Sequence, residues 1–142
     1  MNFTNNDIHE HGAQYLANSL QENKILTILN FGYNQIGDQG AKYFADVLEY
    51  NETLKTIHLG FNEIGDDGVK HLADALQENK TLITLDLQWN RVNNYGAQYL
   101  ANALRQNKTL TELNLGYNPI GNDGKESLGK ILQNNSETKI IF

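Results

Sequence analysis

Cysteine is absent from the 142-residue sequence, and proline occurs only once. Without cysteine the chain can form no disulfide, no cysteine-ligated zinc site and no thiol nucleophile. A composition without cysteine also fits a reducing compartment, and on that ground we expect a cytoplasmic location.

Long apolar runs and an excess of positive charge are lacking as well. No stretch reaches the roughly 18 consecutive apolar residues of a membrane-spanning helix, so we expect no membrane partner. The formal net charge is −6, whereas nonspecific nucleic-acid binding depends on clustered Lys and Arg, so we expect no nucleic-acid partner. The chain begins without a charged-then-apolar leader, which predicts no secretory signal.

What the sequence does contain is a unit that recurs every 28 residues. In the stretch 82–90, apolar residues stand at Leu82, Leu85 and Leu87, and an asparagine follows at Asn90. The equivalent residues of other units are Leu26, Leu29, Phe31 and Asn34; Leu54, Ile57, Leu59 and Asn62; and Leu110, Leu113, Leu115 and Asn118. A repeat of this length is typical of a solenoid, in which each unit buries its apolar face against its neighbours.

Each unit combines a short strand with a helix. The alternation in 84–87 predicts the strand, and apolar residues spaced i, i+3, i+4 and i+7 in 41–48 predict a one-sided amphipathic helix. The turn slot before each helix, where a positive φ is expected, holds Gly37, Gly65, Asn93 and Gly121. The next slot, expected to cap its own helix, holds Asp38, Asp66, Asn94 and Asn122. Expected left-handed C-caps are Asn23, Asn51, Asn79, Asn107 and Asn135.

The run Leu-x-x-Leu-x-Leu-x-x-Asn, followed by Ile-Gly-Asp-x-Gly-Ala at 36–41, resembles a leucine-rich repeat. The 28-residue period with a full helix is similar to the ribonuclease-inhibitor-like subfamily and to the repeat arrays of NOD-like receptors. The resemblance covers essentially the whole chain. It implies an α/β leucine-rich-repeat solenoid, a right-handed β-α superhelix with a parallel sheet on the concave face and helices on the convex face.

We expect a single domain over 1–142, divided by strand start into units 1–28, 29–56, 57–84, 85–112 and 113–142. Residues 140–142 are expected to begin a sixth strand. No obvious cap precedes the first unit or follows the last, which indicates a piece of a longer array or self-association through the uncapped ends.

A column of aromatic residues directly precedes the repeating asparagines. Its members are Tyr33, Phe61, Trp89 and Tyr117, with Asn5 in the first unit. Spaced at one repeat, these rings would form a stripe along the rim of the sheet. Exposed aromatic rows are typical of interface hot spots. The alternative is that the rings only stack on each other and shield the sheet edge.

The outward positions of the strands form a second candidate set, because alternation places them on the concave face. The candidate partner-binding residues there are Asn30, His58, Asp86, Gln88, Glu112 and Asn114. Glycines at the margin would let the backbone of a partner approach closely. Since proteins of the family that the chain resembles bind through this surface, we predict a non-catalytic protein–protein interaction module with a protein partner of unknown identity.

Patterns for catalysis and metal binding are weak. The run His9-Glu10-His11 lacks further ligands at fixed spacing, so no metal site is predicted. His58 and Asp86 stand on adjacent units, but no serine or cysteine nucleophile joins them. The phosphate-binding loop of NTPases is also missing. We therefore predict no catalytic residue and no cofactor.

Two other functions stay open at this stage. The helical repeat style is similar to that of the leucine-rich-repeat activators of Ran-type GTPases. In that case the chain would be a GTPase-activating regulator, and Arg91, directly after Asn90, would be its candidate residue. The third alternative is a self-associating structural repeat fragment.

Overall fold

The computed structural model describes residues 1–133 and 138–142, in which five helices alternate with five short strands. The helices are α1 Glu10–Gln21, α2 Gly37–Tyr50, α3 Asp66–Glu78, α4 Asn94–Gln106 and α5 Asn122–Leu132. The strands are β1 Ile28–Asn30, β2 Thr56–His58, β3 Thr84–Asp86, β4 Glu112–Asn114 and β5 Lys139–Ile141. In the described ranges, no helix combines the length and the apolar character needed to cross a bilayer.

The strands form one sheet in the order β1-β2-β3-β4-β5, and every neighbouring pair is parallel. Ile28 pairs with Thr56 and Thr84 with Glu112, so the register follows the 28-residue repeat. Between β4 and β5 the register is one residue shorter, because Glu112 pairs with Lys139. Each helix packs against the next helix along the chain. This arrangement confirms the predicted α/β solenoid.

The first residues add one position to the sheet without forming a full strand. Asn2 makes a parallel bridge with Asn30, and the Phe3 amide donates to the Asn30 carbonyl at 2.8 Å. Counting this position, β5 is the sixth along the sheet, as expected, although it covers Lys139–Ile141 and not 140–142.

The core lies between the sheet and the helices and is continuous from one repeat to the next. The central residues of the first four strands point into it, and all of them are fully buried: Leu29, Ile57, Leu85 and Leu113. The largest helix contributions are Phe44, Leu72 and Leu100. Burying each such side chain contributes about 1.5–3 kcal/mol. Because a repeat shares this surface with both neighbours, stacking stabilises units that could not fold alone.

Buried asparagine side chains join consecutive repeats at the turn after each strand. Asn90 Nδ2 donates to the carbonyls of Leu59 and Leu87 at 2.9 and 3.0 Å. Asn90 Oδ1 accepts from the amides of Asn62 and Ile64, each at 3.0 Å. One amide group thus satisfies backbone groups of two repeats, and a buried backbone group left unpaired costs about 1–3 kcal/mol. These asparagines are part of the scaffold.

A second set of buried asparagines lies where the helices end, and here the prediction of left-handed C-caps was wrong. The φ angles of Asn51, Asn79 and Asn107 are −83°, −64° and −71°, with extended ψ. Asn79 Nδ2 instead donates to the Leu48 carbonyl of the preceding helix at 2.8 Å, and its Oδ1 accepts from the Leu82 amide at 2.7 Å. Asn135 lies outside the described residues.

The helix N-termini are capped across repeats, which also corrects the prediction. Asp66 Oδ1 accepts from the amides of Asn93 and Gly96, both at 2.9 Å, at the start of the next helix rather than its own. Asp38 and Asn94 make the equivalent pairs of bonds with the amides of Gly65 and Gly68 and of Gly121 and Gly124. Because the helices stack side by side, the first turn of one lies against the first turn of the next.

Glycine is required in that first turn because the side chain four residues earlier lies against it and, in the last three helices, so does the cap from the neighbour. A methyl group on Gly96 would lie 2.5 Å from Asp66 Oδ1 and 2.7 Å from Val92 Cγ1. The turn position three residues before this glycine does not require glycine for its backbone angles. Of the four residues expected there with a positive φ, only Gly37 has one, at +59°. The others have φ of −98° at Gly65, −109° at Asn93 and −80° at Gly121.

We predict that Asp66→Ala lowers the free energy of unfolding by about 1–2 kcal/mol, because two amides of the next repeat lose their acceptor. Asp66→Asn is the matched control, since Asn94 makes the same bonds with an amide oxygen, and it should stay close to the wild type. Urea unfolding followed by circular dichroism measures both. If Asp66→Ala and Asp66→Asn lower the free energy of unfolding equally, the cross-repeat hydrogen bonds do not contribute to stability.

Candidate functional site

The four aromatic residues of the predicted column form one continuous stack along the edge of the sheet. The ring centroids of Tyr33 and Phe61 lie 3.9 Å apart with an interplanar angle of 13°. Phe61 and Trp89 follow at 5.3 Å and 16°, and Trp89 and Tyr117 at 4.3 Å and 14°. We call Tyr33, Phe61, Trp89 and Tyr117 the aromatic rim.

Stacking does not remove the aromatic rim from solvent. Tyr33 is 53% exposed, Trp89 47% and Tyr117 71%, and Phe61 is half-buried. The two alternatives considered for this column, a stripe available to a partner and a set of self-stacked rings, therefore describe the same arrangement. The rings support each other and still present their edges to solvent.

All four rim residues have a left-handed backbone. Their φ angles are 56° at Tyr33, 59° at Phe61, 53° at Trp89 and 59° at Tyr117, and Asn5 has 58° in the same slot. Glycine and asparagine adopt this conformation readily, whereas a bulky side chain there costs roughly 1–2 kcal/mol. The positive φ values predicted for the turn slot before each helix thus occur mainly at the rim instead.

The backbone around the rim is fixed by hydrogen bonds from one repeat to the next. The amide of Tyr33 donates to the Gly60 carbonyl at 2.9 Å, that of Phe61 to Gln88 at 3.0 Å and that of Trp89 to Gly116 at 2.9 Å. The buried asparagine after each ring bonds the same turn from inside. Since both sides of the turn are held, the left-handed angle persists and directs each ring onto its neighbour.

A row of half-buried polar residues faces the rim from the concave side of the sheet. It consists of Asn30, His58, Asp86 and Asn114, which pair in register along β1 to β4. His58 Nδ1 lies 3.4 Å from Asp86 Oδ2. Asn30 Oδ1 accepts from the Gly32 amide and Asn114 Oδ1 from the Gly116 amide, both at 3.0 Å.

Buried glycines stand between this polar row and the aromatic rim in three repeats. They are Gly32, Gly60 and Gly116, which we call the glycine trough. In the repeat of β3, Gln88 takes the position of the glycine. A methyl group on Gly60 would lie 3.0 Å from Gln88 Cγ, so the Gln88 side chain covers Gly60. Glu112 lies apart from the trough, at the start of β4, where its carboxylate is 3.8 Å from Lys139 Nζ.

The outer side of the rim carries a row of polar and charged side chains, of which the sequence interpretation named only Arg91. Gln35 Nε2 donates to Asp7 Oδ1 at 2.8 Å, and the Arg91 guanidinium pairs with the Glu63 carboxylate at 2.8 Å. All four side chains are exposed. The signal was their spacing, because Asp7, Gln35, Glu63 and Arg91 recur at the repeat period, two residues after Asn5, Tyr33, Phe61 and Trp89.

The arrangement offers polar and apolar contacts along the edge of the sheet. Among residues 1–133 and 138–142, no group of three or more His, Asp or Glu side chains could hold a metal ion. His9 lies 3.6 Å from Asp7 and His11 lies 3.6 Å from Glu10, all on the exposed surface. The site is a shallow strip made of an aromatic edge, a glycine floor and a wall of polar side chains.

Comparison with known proteins identifies the family. Four segments match the family described as Leucine Rich repeat, at residues 22–45, 50–73, 78–101 and 106–129. Because these segments span more than half of the sequence, the chain belongs to the leucine-rich repeat family. The match does not distinguish subfamilies, so the ribonuclease-inhibitor-like resemblance stays a prediction. No curated protein sequence matches the chain.

Solved structures show the same fold. Leiomodin-1 actin-binding site 2 matches with a TM-score of 0.81 and 24% identity, covering 91% of this chain and 75% of its own. The tropomodulin C-terminal domain from Caenorhabditis elegans matches with a TM-score of 0.80 and 13% identity, covering 91% of this chain and 80% of its own. At such identities the likeness establishes the architecture alone.

The left-handed backbone at Trp89 leads to a prediction about side-chain shape. Trp89→Asn and Trp89→Val both lose the two stacking contacts, but a β-branched residue is strained at positive φ and asparagine is not. We expect the valine variant to be less stable than the asparagine variant by about 1–2 kcal/mol. Thermal unfolding by far-ultraviolet circular dichroism compares them. A valine variant as stable as the asparagine variant would rule out strain at this position.

Proposed function

We propose that the chain is a non-catalytic protein-binding module that holds its partner against the aromatic rim and the concave face. The observation that carries this proposal is a continuous four-ring stack whose edges are exposed to solvent. Exposed aromatic side chains in a fixed geometry are the residues that dominate the energy of protein interfaces. They bury a large area while losing little conformational freedom.

The energetics of the rim support a role beyond fold stability. Stacked ring pairs contribute roughly 0.5–1.5 kcal/mol each beyond area burial, and the rim has three such pairs. Four bulky residues in a left-handed backbone cost roughly 1–2 kcal/mol each. In total this cost is about 4–8 kcal/mol, at least as large as the roughly 1.5–4.5 kcal/mol from the three pairs, so stacking beyond area burial does not offset it. Asn5 occupies the same slot at φ 58° without an aromatic ring.

The polar residues beside the rim would supply specificity. Asn30 and Asn114 use their side-chain oxygens within the repeat, which leaves their amide hydrogens to bond a partner. His58, Asp86 and Gln88 form a connected polar group in the middle of the strip. We also include Glu112, a predicted partner-binding residue at the start of β4, at the margin of the strip.

The architecture itself is compatible with this use. The leiomodin-1 domain of the same fold is an actin-binding site, so a sheet and helices arranged in this way bind a protein in that molecule. The likeness supports the class of function and does not extend to actin as the partner of this chain. A cytoplasmic location likewise stays a prediction.

The two alternatives have weaker support. Arg91 is paired with Glu63, and because an exposed pair contributes only about 0–1 kcal/mol, Arg91 could leave Glu63 at little cost. A GTPase-activating role therefore rests on the position of Arg91 alone, and GTP hydrolysis by purified small GTPases with and without the chain would test it.

The other alternative, self-association of the chain, would be tested by light scattering over a concentration series.

We predict that replacing Phe61 and Trp89 together by asparagine lowers partner capture by at least about tenfold, since hot-spot residues contribute about 2 kcal/mol or more each. Asparagine is chosen because Asn5 shows that it fits the left-handed slot. The immobilised chain would be incubated with lysate of its source organism, and captured proteins quantified by mass spectrometry.

The matched control is Tyr95→Asn, which removes an aromatic ring that is 68% exposed on α4, away from the rim. This variant should capture the same proteins as the wild type. Far-ultraviolet circular dichroism would first establish that all variants fold. If the rim variant captures its partners as well as the wild type does, the proposed binding surface is wrong.

A further inference from the structure

We infer that the segment bound along the aromatic rim is a proline-rich polyproline II helix with a basic side chain at the end beside Asp7. This inference rests on the proposed function and specifies the chemistry of the partner. Four observations carry it: unpaired donors on the rings, the spacing of those donors, the glycine trough and the distribution of charge along the rim.

The rim presents hydrogen-bond donors without partners. Within the described ranges, the hydroxyls of Tyr33 and Tyr117 and the indole N–H of Trp89 make no hydrogen bond to another protein atom. An indole N–H can only donate, and a phenol donates readily. In the free chain these exposed groups can bond water, so a ligand that displaces the water replaces it best with acceptors of its own. The commonest row of acceptors in a protein is a set of backbone carbonyls.

The conformation of the ligand decides whether its carbonyls are free. In an α-helix they bond within the helix, so they are not available along its length. A polyproline II helix has no internal hydrogen bonds, and its carbonyls are solvated along its whole length. Proline also has no amide hydrogen, so it does not compete for the few acceptors on the concave face.

Two of the three donors, Tyr33 and Trp89, are spaced to fit the same conformation, whereas Tyr117 lies one repeat from Trp89. Neighbouring parallel strands lie about 4.7–4.9 Å apart, so Tyr33 and Trp89, two repeats apart, are separated by about 9.4–9.8 Å along the solenoid. One turn of polyproline II is three residues at about 3.1 Å, or about 9.3 Å. Residues on one face of an extended strand repeat at about 6.6–6.8 Å, which matches neither one repeat nor two. The pitch therefore favours polyproline II.

The surface beside the rings suits a rigid apolar ligand. The ring edges form a continuous apolar ridge, since successive rings are tilted by no more than 16°. Gly32 and Gly116 bring no side chain to the floor next to the ridge, whereas the Gln88 side chain covers Gly60. Aromatic-lined grooves bind proline-rich segments because a preformed polyproline II helix loses little entropy on binding.

The charges along the rim give the ligand a direction. The Asp7 side chain is 75% exposed and lies at the Tyr33 end, where it lines a cavity of about 260 Å³ together with Tyr33 and Gln35. Lys125 lies at the other end, near Tyr117. A guanidinium or ammonium group is therefore attracted to the Asp7 end and repelled from the Lys125 end.

Trp89 is the only tryptophan in the chain, so its fluorescence reports directly on the rim. The probe is a synthetic oligoproline with one arginine at an end, and the reference is a glycine-serine peptide of the same length and charge. We expect a saturable change of Trp89 emission and an affinity for the oligoproline at least about tenfold higher. Equal affinity for the two peptides would overturn the inference.

Variants that keep the rings separate hydrogen bonding from stacking. Tyr33→Phe and Tyr117→Phe retain the stack and remove one donor each, so each should weaken oligoproline binding by about twofold to tenfold. Tyr95→Phe, on α4 and away from the rim, should leave the affinity unchanged. If the rim variants bind like the wild type, the hydroxyls do not hold the peptide.

The charge is tested by a double-mutant cycle. Asp7→Asn should weaken binding of the arginine-bearing oligoproline and leave binding of an alanine-bearing one unchanged. An equal effect on both peptides would contradict the assigned direction. The outcomes also separate the two proposals: if oligoproline does not bind while rim substitutions still abolish partner capture, only the inference about the ligand fails. If rim substitutions leave capture intact, the proposed function fails with it.

Discussion

The structure depends above all on side-chain amides that bond the backbones of two repeats at once. Asn90 pairs with carbonyls on its own turn and on the preceding one, and it accepts from two amides of the preceding repeat. Asn79 likewise joins two repeats where the helices end. Backbone hydrogen bonds from one repeat to the next hold each turn from the side, and these amides hold it from inside. They therefore set the spacing and the shape of every turn, including the turns that carry the aromatic rings.

The candidate site follows from that constraint. A turn held from inside by an asparagine and from the side by the next repeat has a left-handed residue at its corner. Its side chain is directed along the edge of the sheet, where the equivalent residue of the next repeat lies within stacking distance. The scaffold thus converts a sequence period into a row of parallel rings, and the residue type at the corner decides whether the row is apolar, as at Trp89, or polar, as at Asn5.

Periodicity made most of the fold predictable, and the two capping errors share one cause. The strands, the helices and the inward leucines follow from spacing alone. The capping rules used for Asp66 and Asn79 treat each helix in isolation, whereas in a stacked array the partner of a cap belongs to another repeat. The signal was present, since Asp38, Asp66 and Asn94 are each followed thirty residues later by a glycine that cannot carry a side chain. The left-handed slot was likewise marked by Asn5, a residue that tolerates positive φ.

What periodicity cannot predict is where the repeats differ in function, because a scaffold tolerates many residues at its outward positions. The third strand and its turn depart most from the other repeats. Gln88 replaces the trough glycine and covers Gly60, Asp86 accepts from its amide and faces His58, and Trp89 carries the one ring of the rim with an N–H donor. A uniform strip would bind a repetitive ligand in any of several registers. In the proposed complex, an interruption at this point would remove that degeneracy, because a ligand would have to place a compatible group opposite Gln88. The irregular repeat would then fix the register that the regular ones leave open.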